Sequence, residues 1–369
     1  MNRNKLTKRF LLLSAALTMA LGQSAFAGET VALNLDDAML RAFQTNPTVS
    51  IAQYELDSAR ASYNAARQSR GISISANHTT QRGGYDDAQQ AAPGIWTKGI
   101  GNNHANSLSA SLPIFTGGKL SGTIKQAKAN YQYNEVGVQR TYNEMRSTVT
   151  DGYFNMLQAD NIQKLSAESV TRLEDHLKNV QAQYDVGVVA KVDVLRSQVE
   201  LANAKQTLIQ AENSYQVAEA NMNKIVGLPM DTNLKLDNLL VYNAYDKNMD
   251  DCLAYAAEHR PELMQAKYGV DAAKGALMVA RSGHMPQVAA SATQQWSDSS
   301  WPGDDNGKWG VGVNVSMNVF DTGVTLSKIH GAEADLKKAE ETYRNTVDSV
   351  NLDVRSNYLG LREAEKRIS

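Results

Sequence analysis

Cysteine is nearly absent from this sequence. Cys252 is the only one in 369 residues, so no internal disulfide framework can brace the chain, and the residue reads as a small apolar side chain. Proline is scarce too, with none between Ile114 and Leu228, a span that helices can occupy without interruption. Aromatics make up 7%. With so much alanine, glutamine and asparagine beside them, they suit long solvated helices better than a thick hydrophobic core. Neither sign of charge dominates, and the formal net charge of −2 offers nucleic acid nothing to hold.

Long hydrophobic runs are missing after the first. Lys5, Lys8 and Arg9 precede an apolar stretch from Phe10 to Leu21, and Ala25-Phe26-Ala27 has A-x-A spacing. These three zones form a secretory signal peptide over residues 1–27, with the mature chain starting at Gly28; they weigh against the competing reading, a buried N-terminal helix. The stretch is too short to span a bilayer as a helix. If this exported chain lies in a membrane, it crosses as β-strands. No cysteine stands at the cleavage site to carry a lipid.

What is present is a repetition. Phe115 and Phe320 are 205 residues apart, as are Tyr153 and Tyr358. Asn46-Pro47 and Arg260-Pro261 are 214 apart, as are Ala66-Arg67 and Ala280-Arg281. The change of offset falls between the two expected strands of each copy, where a loop absorbs it. The expected organisation is a first repeat over 28–230 and a second over 231–369, within one elongated body. Ser369 corresponds to Lys164, so the second copy stops before its turn and return helix. The expectation is of a fragment of a longer protein, or of an incomplete product with a gap in its helical wall.

Two kinds of segment alternate. Val194, Leu201, Leu208, Tyr215 and Met222 recur every seven residues, and Ser197, Ala204, Ala211 and Ala218 form a second, small-residue stripe. Such repeats are coiled-coil seams, and two seams suggest neighbours on two sides. Ala127, Tyr131, Val138, Met145, Val149, Tyr153 and Met156 predict a long helix from about Leu120 to about Tyr184, on the order of 100 Å at 1.5 Å per residue. It breaks at Gly187. Asp193 favours the start of the return helix, which Gly227 and Pro229 end.

The other segments alternate with period two. Val311, Val313, Val315, Met317 and Val319 interleave with Gly312, Asn314, Ser316 and Asn318. Leu108, Ala110, Leu112 and Ile114 do the same with serines, as do Ile72, Ile74 and Ala76; a weaker strand follows Pro286. One apolar and one small polar face suit a strand between lipid and water, although a half-buried soluble sheet gives the same pattern. All four tryptophans, Trp96, Trp296, Trp301 and Trp309, lie in or between these strands, where aromatic girdles at a membrane interface would place them. The alternative is ordinary loop or core tryptophan. The stretches 83–101 and 297–308 read as surface loops. Four strands cannot close a barrel, and lipid does not tolerate an open edge, so several chains share one barrel. Twelve strands from three chains leave a channel.

The segments LNLDDAMLRAFQTNPTVSIAQYELDSARASYNAAR, LSASLPIFTGGKLSGTIKQAKANY, MNVFDTGVTLSKIHGAEADLKKAEETY and, most specifically, YDVGVVAKVDVLRSQVELANAKQTLIQAENSYQVAEANMNKIVGLP resemble the TolC-like outer-membrane efflux protein family. The likeness covers nearly all of 33–369. It implies an α+β membrane protein in which long antiparallel coiled-coil helices build a periplasmic α-barrel. Four strands per chain enter a shared 12-stranded barrel of a homotrimer in the outer membrane. The implied role is an exit duct for efflux pumps or type I secretion systems, passive toward small molecules or proteins. The implied partners are a periplasmic adaptor protein, an inner-membrane pump and outer-membrane lipid. By the family pattern, Tyr184, Gly187, Val188 and Asp193 form the periplasmic tip that an adaptor contacts.

No catalytic constellation competes with this. His78, His104, His176, His259, His284 and His330 are scattered without metal-ligand spacing. GGKLSG at Gly117 lacks phosphate-loop spacing. Asp36-Asp37 and Asp250-Asp251 open short helices, and Asp304-Asp305 reads as a solvated loop before a divalent-cation site. The sequence implies no cofactor, no metal and no enzyme. Two alternatives stand beside the duct. A soluble periplasmic coiled-coil adaptor or structural protein leaves the strands unexplained, and a secreted enzyme would need a site that is not found.

Overall fold

The structure is a computed structural model and describes residues 30–84, 89–92, 95–97, 100–237 and 244–368. The signal peptide expected over 1–27 lies outside the described residues. In chain order the elements are β1 (Val31–Leu33), α1 (Leu35–Thr45), α2 (Pro47–Gln68), β2 (Ser73–Gly84), β3 (Gln89–Ala92), β4 (Ile95–Thr97), β5 (Ile100–Phe115), α3 (Lys119–Asp185), α4 (Lys191–Val226), β6 (Leu234–Leu236), α5 (Met249–His259), α6 (Pro261–Arg281), a short 3-10 turn, β7 (Gln287–Asp298), β8 (Lys308–Ser316) and α7 (Val324–Ile368). The long helix has 67 residues, which the absence of proline permits.

By contacts the chain forms two units, Met1–Ser50 with Tyr142–Asn243 and Ile51–Thr141 with Ala244–Ser369. The core of the first gathers Met145, Val149, Tyr153 and Met156 of α3 against Met222 and Val226 of α4, Ala38 and Ala42 of α1, and Leu33 and Leu234 of the parallel pair β1–β6. The Tyr153 hydroxyl donates to the Asp237 carbonyl at 2.8 Å, so its polar end is satisfied inside an apolar site. Helix α1 also closes the end of α4. Arg41 and Thr45 donate to the Val226 carbonyl at 3.2 and 2.9 Å, and the Asn46 amide donates to Ile225 at 2.9 Å. Carbonyls left open at a helix C-terminus need such donors.

The two seven-residue stripes of α4 are one seam. Val194, Ser197, Ala211 and Met222 are buried and Leu201, Ala204, Leu208, Tyr215 and Ala218 are half-buried. Alternating steps of three and four place both stripes on the same covered face. The uncovered apolar face is a different one, through Leu195, Val199, Ile209 and Val217.

The second unit holds a four-stranded antiparallel sheet in the order β2-β5-β7-β8. Strand β2 runs on through Gly84, β5 begins at Ile100, and β3 pairs with β4 between them. The described residues of the stretch 83–101, expected as a surface loop, therefore carry regular backbone pairing. The 297–308 stretch keeps its loop, with strand residues at its ends. Pro113 has no N–H to give the ladder, and the β5–β7 register slips between Pro113 and Phe115, a bulge of the kind that re-aims the strand end. Below the sheet α6 packs along α7, and Ala256, Leu263 and Val350 form a small core there.

Two helix starts match in backbone detail. Asn34 caps α1 and Asn248 caps α5, each accepting from the N–H three residues on, at 2.7 and 2.8 Å. Both helices have 11 residues, and a single residue separates each from a helix that begins with proline.

Candidate functional site

The sheet has two chemically distinct faces. Residues paired across strands point to the same side. Ile74, Ala110, Ala292 and Val311 form one row across all four strands. Leu112, Ala290 and Val313 form the row below, and Ala76, Leu108, Gln294 and Trp309 the row above. The valines of this face are largely exposed, Val311 by 76%. On the other face the rows read Ser73, Ser111, Ser291, Gly312, then Ser75, Ser109, Thr293, Gly310, then Asn77, Ser107, Gln295, Lys308. An apolar side and a hydroxyl-and-amide side are what a strand between lipid and a wet lumen requires. Among the described residues both outer strands, β2 and β8, have a free edge, and such edges do not persist in a bilayer unpaired.

Trp296 and Trp309 stand on the apolar face at its end away from the helices, and Trp309 is 79% exposed. Trp96 pairs with Gln90 in the β3–β4 hairpin; its side chain lies outside the described residues. Trp301 sits in the β7–β8 loop rather than on a strand. It meets His78 and His104 edge to face, with ring centroids 4.9 and 5.8 Å apart. Asn106 holds this loop, its amide donating to the carbonyls of Pro302 and Gly303 at 3.0 and 2.9 Å. The Asn106 oxygen therefore faces His78, whose Nδ1 donates to it at 2.8 Å. Thr80 bridges the two imidazoles at 2.9 and 3.0 Å. Sequence reading left these histidines scattered because the register that gathers them joins strands far apart in the chain.

The other candidate surface is the α3–α4 turn. Gly187 has φ 81°, a left-handed conformation that glycine adopts without strain. Its N–H donates to the Tyr184 carbonyl at 2.9 Å, and the Val188 N–H donates to Gln183 at 2.9 Å, the two bonds of a Schellman closure. Asp193 is the third residue of α4, and its carboxylate accepts the Ala190 N–H at 3.2 Å, which ties the loop to the positive helix end. The turn thus brings Tyr184, Gly187, Val188 and Asp193 together. It also presents Val186, Val188 and Val192, exposed by 75, 72 and 64%. Val186 and Val192 were not singled out from sequence; apolar residues flanking a helix-breaking glycine were the available signal.

Among the described residues no group of three or more His, Cys, Asp or Glu side chains could hold a metal ion, and no helix is long and apolar enough to cross a membrane. Cys252 is half-buried, with its sulfur 3.5 Å from the Tyr245 hydroxyl.

A family model described as outer membrane efflux protein matches residues 39–228 and 253–369. The chain is 24% identical over 360 residues to the outer membrane protein TolC of Escherichia coli K12, covering 93% of this chain and 70% of that one. It is 20% identical to the outer membrane efflux protein BepC of Brucella suis over 354 residues, 95% of this chain and 74% of that one. Among solved structures, the outer membrane protein VceC of Vibrio cholerae superposes with a TM-score of 0.76 at 15% identity, over 90% of this chain and 80% of that one.

Proposed function

The chain belongs to the outer membrane efflux protein family, and from that premise we propose how its own residues divide the work of an exit duct. Proteins of this kind are non-catalytic outer-membrane channels that act as homotrimers with a periplasmic adaptor and an inner-membrane pump. The observation that carries the proposal is the two-faced sheet with two free edges. Three chains pair β8 of one with β2 of the next, which removes every edge and gives a twelve-stranded barrel. The valine and isoleucine rows then meet lipid, and the serine, threonine and asparagine rows line a passive aqueous path for small molecules or proteins. Trp96, Trp296, Trp301 and Trp309 are the aromatic girdle at one interface. Tyr184, Gly187, Val188 and Asp193 shape the periplasmic tip that meets the adaptor, with Val186 and Val192 adding apolar surface. Residues 28–230 and 231–369 are two copies of one design, which the matched caps at Asn34 and Asn248 support.

The edge pairing is tested with Cys252→Ser as background. Ser75→Cys on β2 is combined in turn with Gly310→Cys, Gly312→Cys and Asn314→Cys on β8. Oxidation of the membrane-inserted protein should give covalent trimers for at least one pair, and bilayers receiving it should show uniform conductance steps. Covalent species that stop at dimer for every pair would sink the closed three-chain barrel.

A further inference from the structure

The end of the sheet that joins the helices carries a one-sided charge. Four short stretches meet there within one unit of the fold: 66–72 leading into β2, 114–125 leading out of β5, 280–286 leading into β7, and 317–330 leading out of β8. They contain Arg67, Arg70, Lys119, Lys125, Arg281 and Lys328, and one carboxylate, Asp321. That carboxylate is engaged locally, accepting from the Thr325 and Gly323 N–H groups at 2.8 and 3.2 Å and from the Thr325 hydroxyl. Arg281 pairs with Glu333 at 2.9 Å, and Arg67 lies over the Tyr63 ring. Arg70, Lys119, Lys125 and Lys328 are exposed, and no carboxylate among the described residues pairs with them.

These cations border exposed apolar side chains. Ile72, Phe115, Met285, Phe320, Val324 and Leu326 are all 49% or more exposed in the same four stretches. The opposite end of the sheet differs: among the described residues, 82–84, 100–103 and 297–308 hold Arg82 and Lys308 against Asp298, Asp304 and Asp305. The apolar band therefore has a cationic border on its helical side and a slightly anionic one on the other.

We propose that this border is a binding surface for anionic phospholipid headgroups of the periplasmic leaflet, continuous with the lipid-facing rows of the sheet. The inference rests on the outer-membrane duct reading. Apolar side chains seat the acyl region while Arg70, Lys119, Lys125 and Lys328 stand at headgroup level, where each attracts a negative lipid surface. Three chains repeat the border around the barrel. The selectivity is electrostatic and falls with salt.

The test reconstitutes the full chain into phosphatidylcholine nanodiscs and measures, by electron spin resonance, the first-shell association of spin-labelled phosphatidylglycerol relative to spin-labelled phosphatidylcholine. The expected ratio for the unaltered protein at low ionic strength is several-fold above one, and it declines toward one as salt is raised. The variant Arg70→Gln/Lys119→Gln/Lys125→Gln/Lys328→Gln leaves Arg67 and Arg281 with their structural partners, and it should bring the ratio close to one while keeping trimers and conductance. A ratio of one in the unaltered trimer, or a ratio that the variant does not change, overturns the proposal. Failure of the unaltered chain to form trimers in the nanodisc would instead count against the duct reading, so the two failures are told apart.

Discussion

Gly117 and Thr322 hold the same left-handed backbone, φ 60° and 53°, at equivalent places in two turns 205 residues apart. The next residues match as well, Gly118 at 94° and Gly323 at 91°. Each turn is followed by a long helix that starts in the same way: Thr116 Oγ1 accepts from the Leu120 N–H at 3.2 Å, and Asp321 Oδ2 accepts from the Thr325 N–H at 2.8 Å. The strand-to-helix turn is thus built twice, once with glycine at the left-handed position and once with a β-branched residue that is costly there.

A pair of opposite outcomes follows. Thr322 is exposed, so Thr322→Gly loses no packing and should stabilise the protein by about 1 kcal/mol through relieved strain. The reverse change, Gly117→Thr, should be strongly destabilising, because a Cβ at 117 would lie 2.3 Å from the Met285 Cβ. Thermal melting of the two variants against the unaltered chain checks both. A lower melting temperature for Thr322→Gly would refute the strain argument.

Much of this architecture was legible in the sequence because it rests on local rules. The period-two runs at Val311–Val315 and Leu108–Leu112, the long proline-free helix and the glycine at 187 each encode their own geometry. Other features depend on pairings between distant segments. The meeting of Trp301 with His78 and His104 needs the β2–β5 register and the fold of the β7–β8 loop at once. The merging of the two α4 stripes depends on which face α3 covers. The caps Asn34 and Asn248 were hidden beside the acidic pairs Asp36-Asp37 and Asp250-Asp251, which mark the same helix starts by charge.

Gly122 of α3 and Gly275 of α6 let two helix backbones touch. A Cβ on Gly275 would stand 2.7 Å from the Gln126 nitrogen and 2.9 Å from the Gly122 oxygen, and one on Gly122 would stand 2.8 Å from the Gly275 oxygen. Backbone atoms cannot turn aside as a flexible side chain can, so alanine at either place forces the helices apart. Each of Gly122→Ala and Gly275→Ala should lower stability by about 1–3 kcal/mol, the range for overpacked sites, despite the better helix propensity of alanine. Urea unfolding followed by circular dichroism measures this; unchanged midpoints would show that the contact is not close.

Alkaline pH should loosen the first unit through Tyr215. Burial pushes this phenol up to about 12, helped by the nearby carboxylates of Glu219 and Asp160. Burial also raises Tyr153, beside the Asp237 carbonyl. A phenol whose proton is held more tightly in the folded state than in the unfolded one adds stability that is complete below pH 10. That contribution is lost as pH rises from 10 toward 12. Tyr215→Phe cannot ionise, so its stability should fall less steeply over that interval. Melting temperatures taken between pH 8 and 12 would decide it, and parallel curves for the two proteins would exclude Tyr215 as a source.

The tip valines should matter for transport and hardly at all for folding. Val186, Val188 and Val192 are exposed by 64% or more, so replacing them removes little buried area, and surface changes of that kind usually stay within about 0.5 kcal/mol. Val186→Asp/Val188→Asp would place two carboxylates at the α3–α4 turn, where an apolar partner surface would have to desolvate them at a cost of several kcal/mol. Cells carrying this variant should lose export while the purified protein keeps its melting temperature and its conductance in bilayers. Gly187→Val is the contrasting change: it strains the left-handed closure at φ 81° by about 1–2 kcal/mol and should lower the melting temperature of the α3–α4 hairpin. Export that survives Val186→Asp/Val188→Asp at normal protein levels would mean that the adaptor meets the helices elsewhere, and the exposed α4 face through Leu195, Val199, Ile209 and Val217 would be the next surface to alter.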